Sequence, residues 1–122
     1  RPVVALDIDA VAVRVAGENV RRNGVSVHVL HGGLEEMEEE VVALCPSGYG
    51  IVVANIIPEV ICAMAPAAHR VLARGGLFIA SGIIDSRVPD VLRRVEAAGF
   101  RRREEDRSGG WACLVFGKGD LR

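Results

Sequence analysis

Apolar runs of strand length that alternate with helix-patterned stretches constrain this chain more than any other feature. Val3 to Leu6 is a continuous apolar run, which predicts a strand covered on both faces. From Asp9 the pattern turns helical, with Val11, Val15 and Val20 spaced among polar residues, until Asn23-Gly24 supplies a stop. Val25 to Leu30 alternates and predicts a second strand, broken at Gly32-Gly33. Leu34 to Leu44 reads as a short acidic helix closed by Pro46, Ser47 and Gly48, and Tyr49 to Ile56 (YGIVVANI) as a strongly buried strand.

Pro58 suits the first turn of a helix reaching about Leu72, ended by Arg74-Gly75-Gly76. Leu77 to Ser81 predicts a further strand, and Asp85 or Ser86 a cap for a helix that runs through Ala98 to a stop at Gly99. The tail differs. Phe100 to Asp106 and Trp111 to Gly117 flank Arg107-Ser108-Gly109-Gly110, the pattern of a hairpin. Parallel strands joined by helices and finished by an antiparallel hairpin make an α/β fold. At 122 residues, half of them hydrophobic, the chain has the size of a single domain with its own core.

Composition excludes several classes. A net charge of -1 with interspersed acids and bases gives no basic field for nucleic acid as the main partner. No apolar stretch is long enough to span a bilayer, and no leader-like segment opens the chain. Cys45, Cys62 and Cys113 lack the paired spacing of a zinc site or a disulfide framework, so reduced thiols in the cytoplasm are expected. His28 and His31 have no acidic or cysteine partner at ligand spacing, and no metal is expected.

Two polar residues end apolar strands. In doubly wound folds, an acid at such a strand end accepts hydrogen bonds from the ribose hydroxyls of an adenosine cofactor, because a carboxylate offers several acceptors and no donor. Asp7 sits there, with a solvated strand end as the other role open to it; Asp9 reads as a helix N-cap. Asn55 ends YGIVVANI, and ligands of open α/β sheets bind beyond the carboxyl ends of strands. Its amide suits an incoming amine or a polar cofactor group, or alternatively turns the chain into the next helix.

The stretches VVALDIDAVAV, ENVRRNGV, YGIVVANI, ARGGLFIASGII, VEAAGF and GGWACLVF together resemble the class I S-adenosylmethionine-dependent methyltransferases. Within them the chain looks most like the PrmA family, which methylates ribosomal protein L11. The likeness runs from Val3 to Gly117 and implies a Rossmann-like, mostly parallel sheet with flanking helices and a terminal hairpin. It implies S-adenosylmethionine as cofactor, a ribosomal protein as partner, and methyl transfer to amines, either lysine side chains or an N-terminus. By the same resemblance, Asp7 binds the cofactor ribose and Ile8 packs on the adenine. Gly33 and Leu34 border the adenine, Asn55 lies near the methionine part and the target amine, and Ser81-Gly82-Ile83-Ile84 matches the SGI or TGI strand end. No glycine-rich loop of the DxGxGxG kind precedes Val3. The chain therefore reads as the carboxyl-terminal part of a catalytic domain, without the first strand and helix of the full fold.

Other readings stay open. A methyltransferase for a small molecule or another protein would carry the same pattern, as would a non-catalytic α/β module. A nicotinamide-dependent oxidoreductase would use Asp7 equally well, but the hairpin and the lack of a catalytic Tyr-Lys or His pair argue against it. The acidic run from Glu35 to Glu40 reads as a solvated helix face, and Arg101 to Arg103 as charge along an edge strand. Trp111 is expected to pack within its hairpin.

Overall fold

The computed structural model describes residues 2–119. Within it the chain divides into two compact units, Arg1–Pro46 and Ser47–Arg122.

The first unit is a β-α-β-α run. Strand β1 (Val4–Asp7) pairs in parallel with β2 (His28–His31), from Val4 opposite His28 to Asp7 opposite His31. Helix α1 (Ala10–Asn23) joins them. Its first turn is closed by the Asp9 carboxylate, which accepts from Val11 N at 3.0 Å. Its last turn ends at Gly24, whose φ of 64° is the left-handed conformation that glycine adopts without strain. Helix α2 (Leu34–Leu44) follows at once. The core of this unit is small, with Leu34, Val41 and Cys45 as its buried apolar residues, while α1 buries none.

The second unit holds a four-stranded sheet in the order β3-β4-β6-β5. Strand β3 (Tyr49–Asn55) runs parallel to β4 (Leu72–Ile84), with helix α3 (Pro58–Val71) as the crossover. A 3-10 turn (Asp85–Arg87) leads into α4 (Val88–Ala97), and the antiparallel pair β5 (Arg101–Ser108) and β6 (Trp111–Gly117) completes the sheet. The core lies between the sheet and its helices. Phe78, Phe116, Ile61, Leu72, Ile83, Leu114, Val88, Val91 and Val95 are fully buried. Phe78, Phe100 and Phe116 form a cluster with ring centroids 5.2 to 6.2 Å apart. Each such phenylalanine contributes roughly 1.5–3 kcal/mol by leaving water.

Several expectations are corrected. The glycines at 75 and 76 do not end α3 in a loop; β4 starts at Leu72 and runs through them. The backbone of Lys118 pairs with both, Gly75 N donating to Lys118 O at 2.7 Å and Lys118 N to Gly76 O at 2.9 Å. That pairing extends the strand across residues that would otherwise break it. Neither Asp85 nor Ser86 caps α4, whose N-cap is Arg87 without a side-chain bond. The Asp85 carboxylate instead lies 3.5 Å from Arg107 of β5. The two strands expected to be covered on both faces are not: β1 is half-exposed, and β3 shows Ile51 and Val53 at 56% and 66% exposure. Each is an end strand with a single hydrogen-bonded neighbour among the described residues. Trp111, expected to be packed, is exposed beside Ile84, its partner in the β4–β6 register. The hairpin forms as expected, with positive φ at both Gly109 and Gly110, the pair of values a two-residue turn of the I′ kind demands.

Candidate functional site

In the first unit the candidate residues gather where β1 and β2 end. Asp7 is exposed, and its Oδ1 accepts from Asp9 N at 2.9 Å, which bends the chain back from strand into helix. The Asp7 carbonyl accepts from Gly32 N at 2.8 Å, tying the two strand ends together. Ile8, at the tip of the intervening loop, is 75% exposed, an unusual place for a large aliphatic group. Gly33 is its neighbour: a Cβ built there would lie 3.9 Å from Ile8 Cγ2. Asp7, Ile8 and Gly33 thus form one exposed ledge with a carboxylate beside an apolar surface. Leu34 differs, since its side chain is 6% exposed and belongs to the core, so that only its backbone borders the ledge.

Three residues to which the sequence assigned no part in the site hold this ledge in shape. His31 Nε2–H donates to Ile8 O across 3.0 Å, the carbonyl being able only to accept. Glu36 Oε1 accepts from Gly33 N at 3.0 Å, the reach-back half of a capping box at the start of α2. Gly32 has φ 148°, and a Cβ there would press on Met37 Cγ at 2.8 Å. A glutamate three residues after a glycine break was the signal available for the second of these. The first required knowing that β2 pairs with β1.

In the second unit Asn55 is the last residue of β3, in register with Ser81 of β4. It is exposed, and its side chain makes no hydrogen bond among the described residues. Ile57 then serves as the N-cap of α3 without a side-chain bond, and Pro58 takes the first turn as its spacing suggested. Behind α3, Arg87 binds the Glu59 carboxylate and also reaches Asp90, 3.4 Å away. The hydrogen bond from Arg87 holds the Glu59 carboxyl below its usual range. Burial pushes the Cys62 thiol up, which keeps it protonated and a poor nucleophile. None of the three cysteines is in a disulfide. Among the described residues no group of histidine, cysteine and acidic side chains is arranged to hold a metal ion, and no helix is long and apolar enough to cross a membrane.

The arrangement offers acceptors for hydroxyls beside an apolar shelf in one unit, and a free amide at a strand end in the other. The family model "Ribosomal protein L11 methyltransferase (PrmA)" matches residues 1–119. Two curated relatives carry the name ribosomal protein L11 methyltransferase. The protein of Desulforamulus reducens is 41% identical over 120 residues, covering 94% of this chain and 37% of the relative. That of Pelotomaculum thermopropionicum is 47% identical over 115 residues, covering 93% and 35%. The chain therefore spans little more than a third of the length of these relatives. Among solved structures, the ribosomal protein L11 methylase of Lactobacillus delbrueckii subsp. bulgaricus superposes with a TM-score of 0.82 at 24% identity, over 98% of this chain and 59% of that one. An RNA methyltransferase of Salinibacter ruber, solved in complex with S-adenosyl-L-homocysteine, gives 0.68 at 18% identity, over 98% and 67%. These two likenesses show a Rossmann-like fold, and the family match over nearly the whole sequence shows the family: this chain belongs to the PrmA family of ribosomal protein L11 methyltransferases.

Proposed function

We propose that this chain is part of a cytoplasmic, S-adenosylmethionine-dependent methyltransferase, both of its units contributing to one catalytic domain, that transfers methyl groups to amines of ribosomal protein L11, on lysine side chains or the N-terminus. The observation that carries the proposal is the family match from residue 1 to residue 119.

The residues present fit an adenosine. Asp7 keeps acceptor capacity beyond its bond to Asp9 N, enough for ribose hydroxyls, and repels a 2′-phosphate. Ile8 and Gly33 offer an apolar edge of a kind an adenine would cover, and the Leu34 backbone flanks it. When bound, S-adenosylmethionine supplies a methyl group already activated on a sulfonium. What remains for the protein is alignment and exclusion of water rather than acid–base chemistry. A lysine amine, with an ordinary pKa near 10.4, has to be neutral to react, which a desolvated polar site favours. Asn55, with donor and acceptor uncommitted, is the residue we assign to orienting that amine; no general base is assigned.

Calorimetric titration with S-adenosylhomocysteine, with NAD as the control, tests the cofactor site on this chain and on the full-length protein that carries it. Saturable binding of the homocysteine product, lost in Asp7→Ala and absent for NAD, supports the assignment. Mass spectrometry of L11 after incubation with the full-length protein locates the transferred methyl groups. Methylation at atoms other than amine nitrogens, or no binding by either polypeptide, overturns the proposal in favour of a different methyltransferase or a non-catalytic module.

A further inference from the structure

The SGI segment of β4 contains a glycine whose role becomes visible only beside β3. Gly82 has φ 75° and sits where β4 slips register against β6, between Ala80 and Ile83. A Cβ built on it would overlap Asn55 Oδ1, with Asn55 Cγ next at 3.6 Å and no other atom beyond its chain neighbours within 4 Å. The missing side chain at 82 is therefore a space filled by one group, the amide of Asn55.

Other tight glycines of this unit behave differently. At Gly48 a Cβ would meet the Ala73 backbone at 2.8 Å, and at Gly76 it would meet Ala73 O at 2.8 Å and Leu72 Cδ2 at 2.9 Å. Those glycines admit close approach of the main chain, so replacing them strains the fold itself. At Gly82 the obstacle is the far end of a side chain that rotates about two bonds. An added methyl group there displaces Asn55, besides the strain that the left-handed φ of 75° puts on any L side chain. No hydrogen bond among the described residues pins the Asn55 amide, and its Oδ1 lies in the space that a side chain at 82 would take.

We propose that Gly82 is a positioning residue: its bare, left-handed backbone seats the Asn55 amide at the carboxyl end of β3, in one orientation and with its hydrogen-bonding atoms free for a ligand. The inference deepens the reading of Asn55 as the group that orients the methyl acceptor, and its catalytic consequence rests on that reading; the seating itself does not.

The test pairs a spectroscopic with a kinetic readout. In the isotope-labelled 122-residue chain, the side-chain amide pair of Asn55 is assigned by its loss in Asn55→Ala. In Gly82→Ala this pair shifts, while the backbone amides of Ile51, Val52 and Val53 keep their positions. In the full-length protein, Gly82→Ala lowers kcat for methyl transfer roughly ten- to a hundredfold, the scale of a misplaced orienting group, with S-adenosylhomocysteine affinity kept within about twofold. The double variant with Asn55→Ala is no slower than Asn55→Ala alone, because both changes act through one amide. An unmoved Asn55 resonance in Gly82→Ala overturns the proposal, as does a double variant slower than the single by the full Gly82→Ala factor. Should Gly82→Ala fail to fold, as its left-handed φ alone can cause, the wild-type chain decides: nuclear Overhauser contacts between the Asn55 side chain and the Gly82 Hα protons support the seating, and an Asn55 side chain without them overturns it. If the wild-type protein transfers no methyl group, the catalytic reading fails, and the Asn55 resonance still tests the seating.

Discussion

His69 shows how a single residue ties chain-distant elements to solution conditions. It lies on the last turn of α3 and meets Phe100 edge-on at a centroid distance of 4.9 Å. Gly99, at φ 110°, clears the space, since a Cβ there would sit 3.0 Å from His69 Nε2. Burial, with a lesser push from Lys118, lowers the His69 pKa below its ordinary 6.5, and a hydrogen bond that the ring donates to the Gly99 backbone opposes them. The unfolded chain therefore takes up this proton at higher pH than the folded one. The stability contributed is fully present above about pH 6.5 and is lost as the pH falls through the lower folded value. Urea denaturation at pH 8, 6 and 5 is expected to show a steeper acid-side loss for wild type than for His69→Gln. Equal slopes would mean that the ring is no more buried than an ordinary surface histidine. The apolar character of position 100 was legible in the sequence. The contact was not, because it depends on α3 and the segment after α4 meeting over one face of the sheet.

At the scale of elements, α3 is the most deeply packed helix and also the one with an internal flaw. Ile61, Cys62, Met64, Ala65, Ala67, Ala68 and Val71 are buried along it, yet Pro66 interrupts its middle. Proline has no N–H for the Cys62 carbonyl and costs roughly 3 kcal/mol against alanine in a helix interior, offset by up to ~1 kcal/mol through the stiffer unfolded chain. Pro66 faces solvent, so no packing is lost on its removal. Pro66→Ala is expected to raise the stability by about 2–3 kcal/mol on this balance, seen as a higher denaturation midpoint with an unchanged m-value. A fall in stability would mean that the ring packs favourably. The end of the same helix is closed from far along the chain. Lys118 Nζ donates to His69 O and Leu72 O, supplying the cation that α3's last carbonyls favour. The sequence reading ended α3 within a residue of the observed Val71, since Pro58 and the change of periodicity are local signals. The stretch after it departs from the local pattern because Gly75 and Gly76 pair with Lys118, more than forty positions away.

For the whole molecule, apolar burial is unevenly shared. The first unit buries Leu34, Val41 and Cys45, whereas the aromatic cluster and the fully buried aliphatic residues all belong to the second. A unit of fewer than fifty residues with so small a core has little apolar area to offset its chain entropy. Hydrogen exchange is expected to show β1, α1 and β2 exchanging orders of magnitude faster than β4, β6 and α3. Uniform protection across both units would contradict this division.

Fold class, most element boundaries, the Asp9 cap, the Gly24 stop and the hairpin turn were readable from sequence alone. Each rests on short-range rules, namely periodicity, capping chemistry and the φ that glycine permits. The family likeness was equally readable, because motif order survives in sequence. Tertiary structure alone decided which apolar strands are left uncovered, that His31 braces the Ile8 loop, and that Gly82 makes room for Asn55. These are contacts between residues 23 and 27 positions apart, or properties of a whole sheet face. Local pattern does not encode them, because they arise only when strands settle into register.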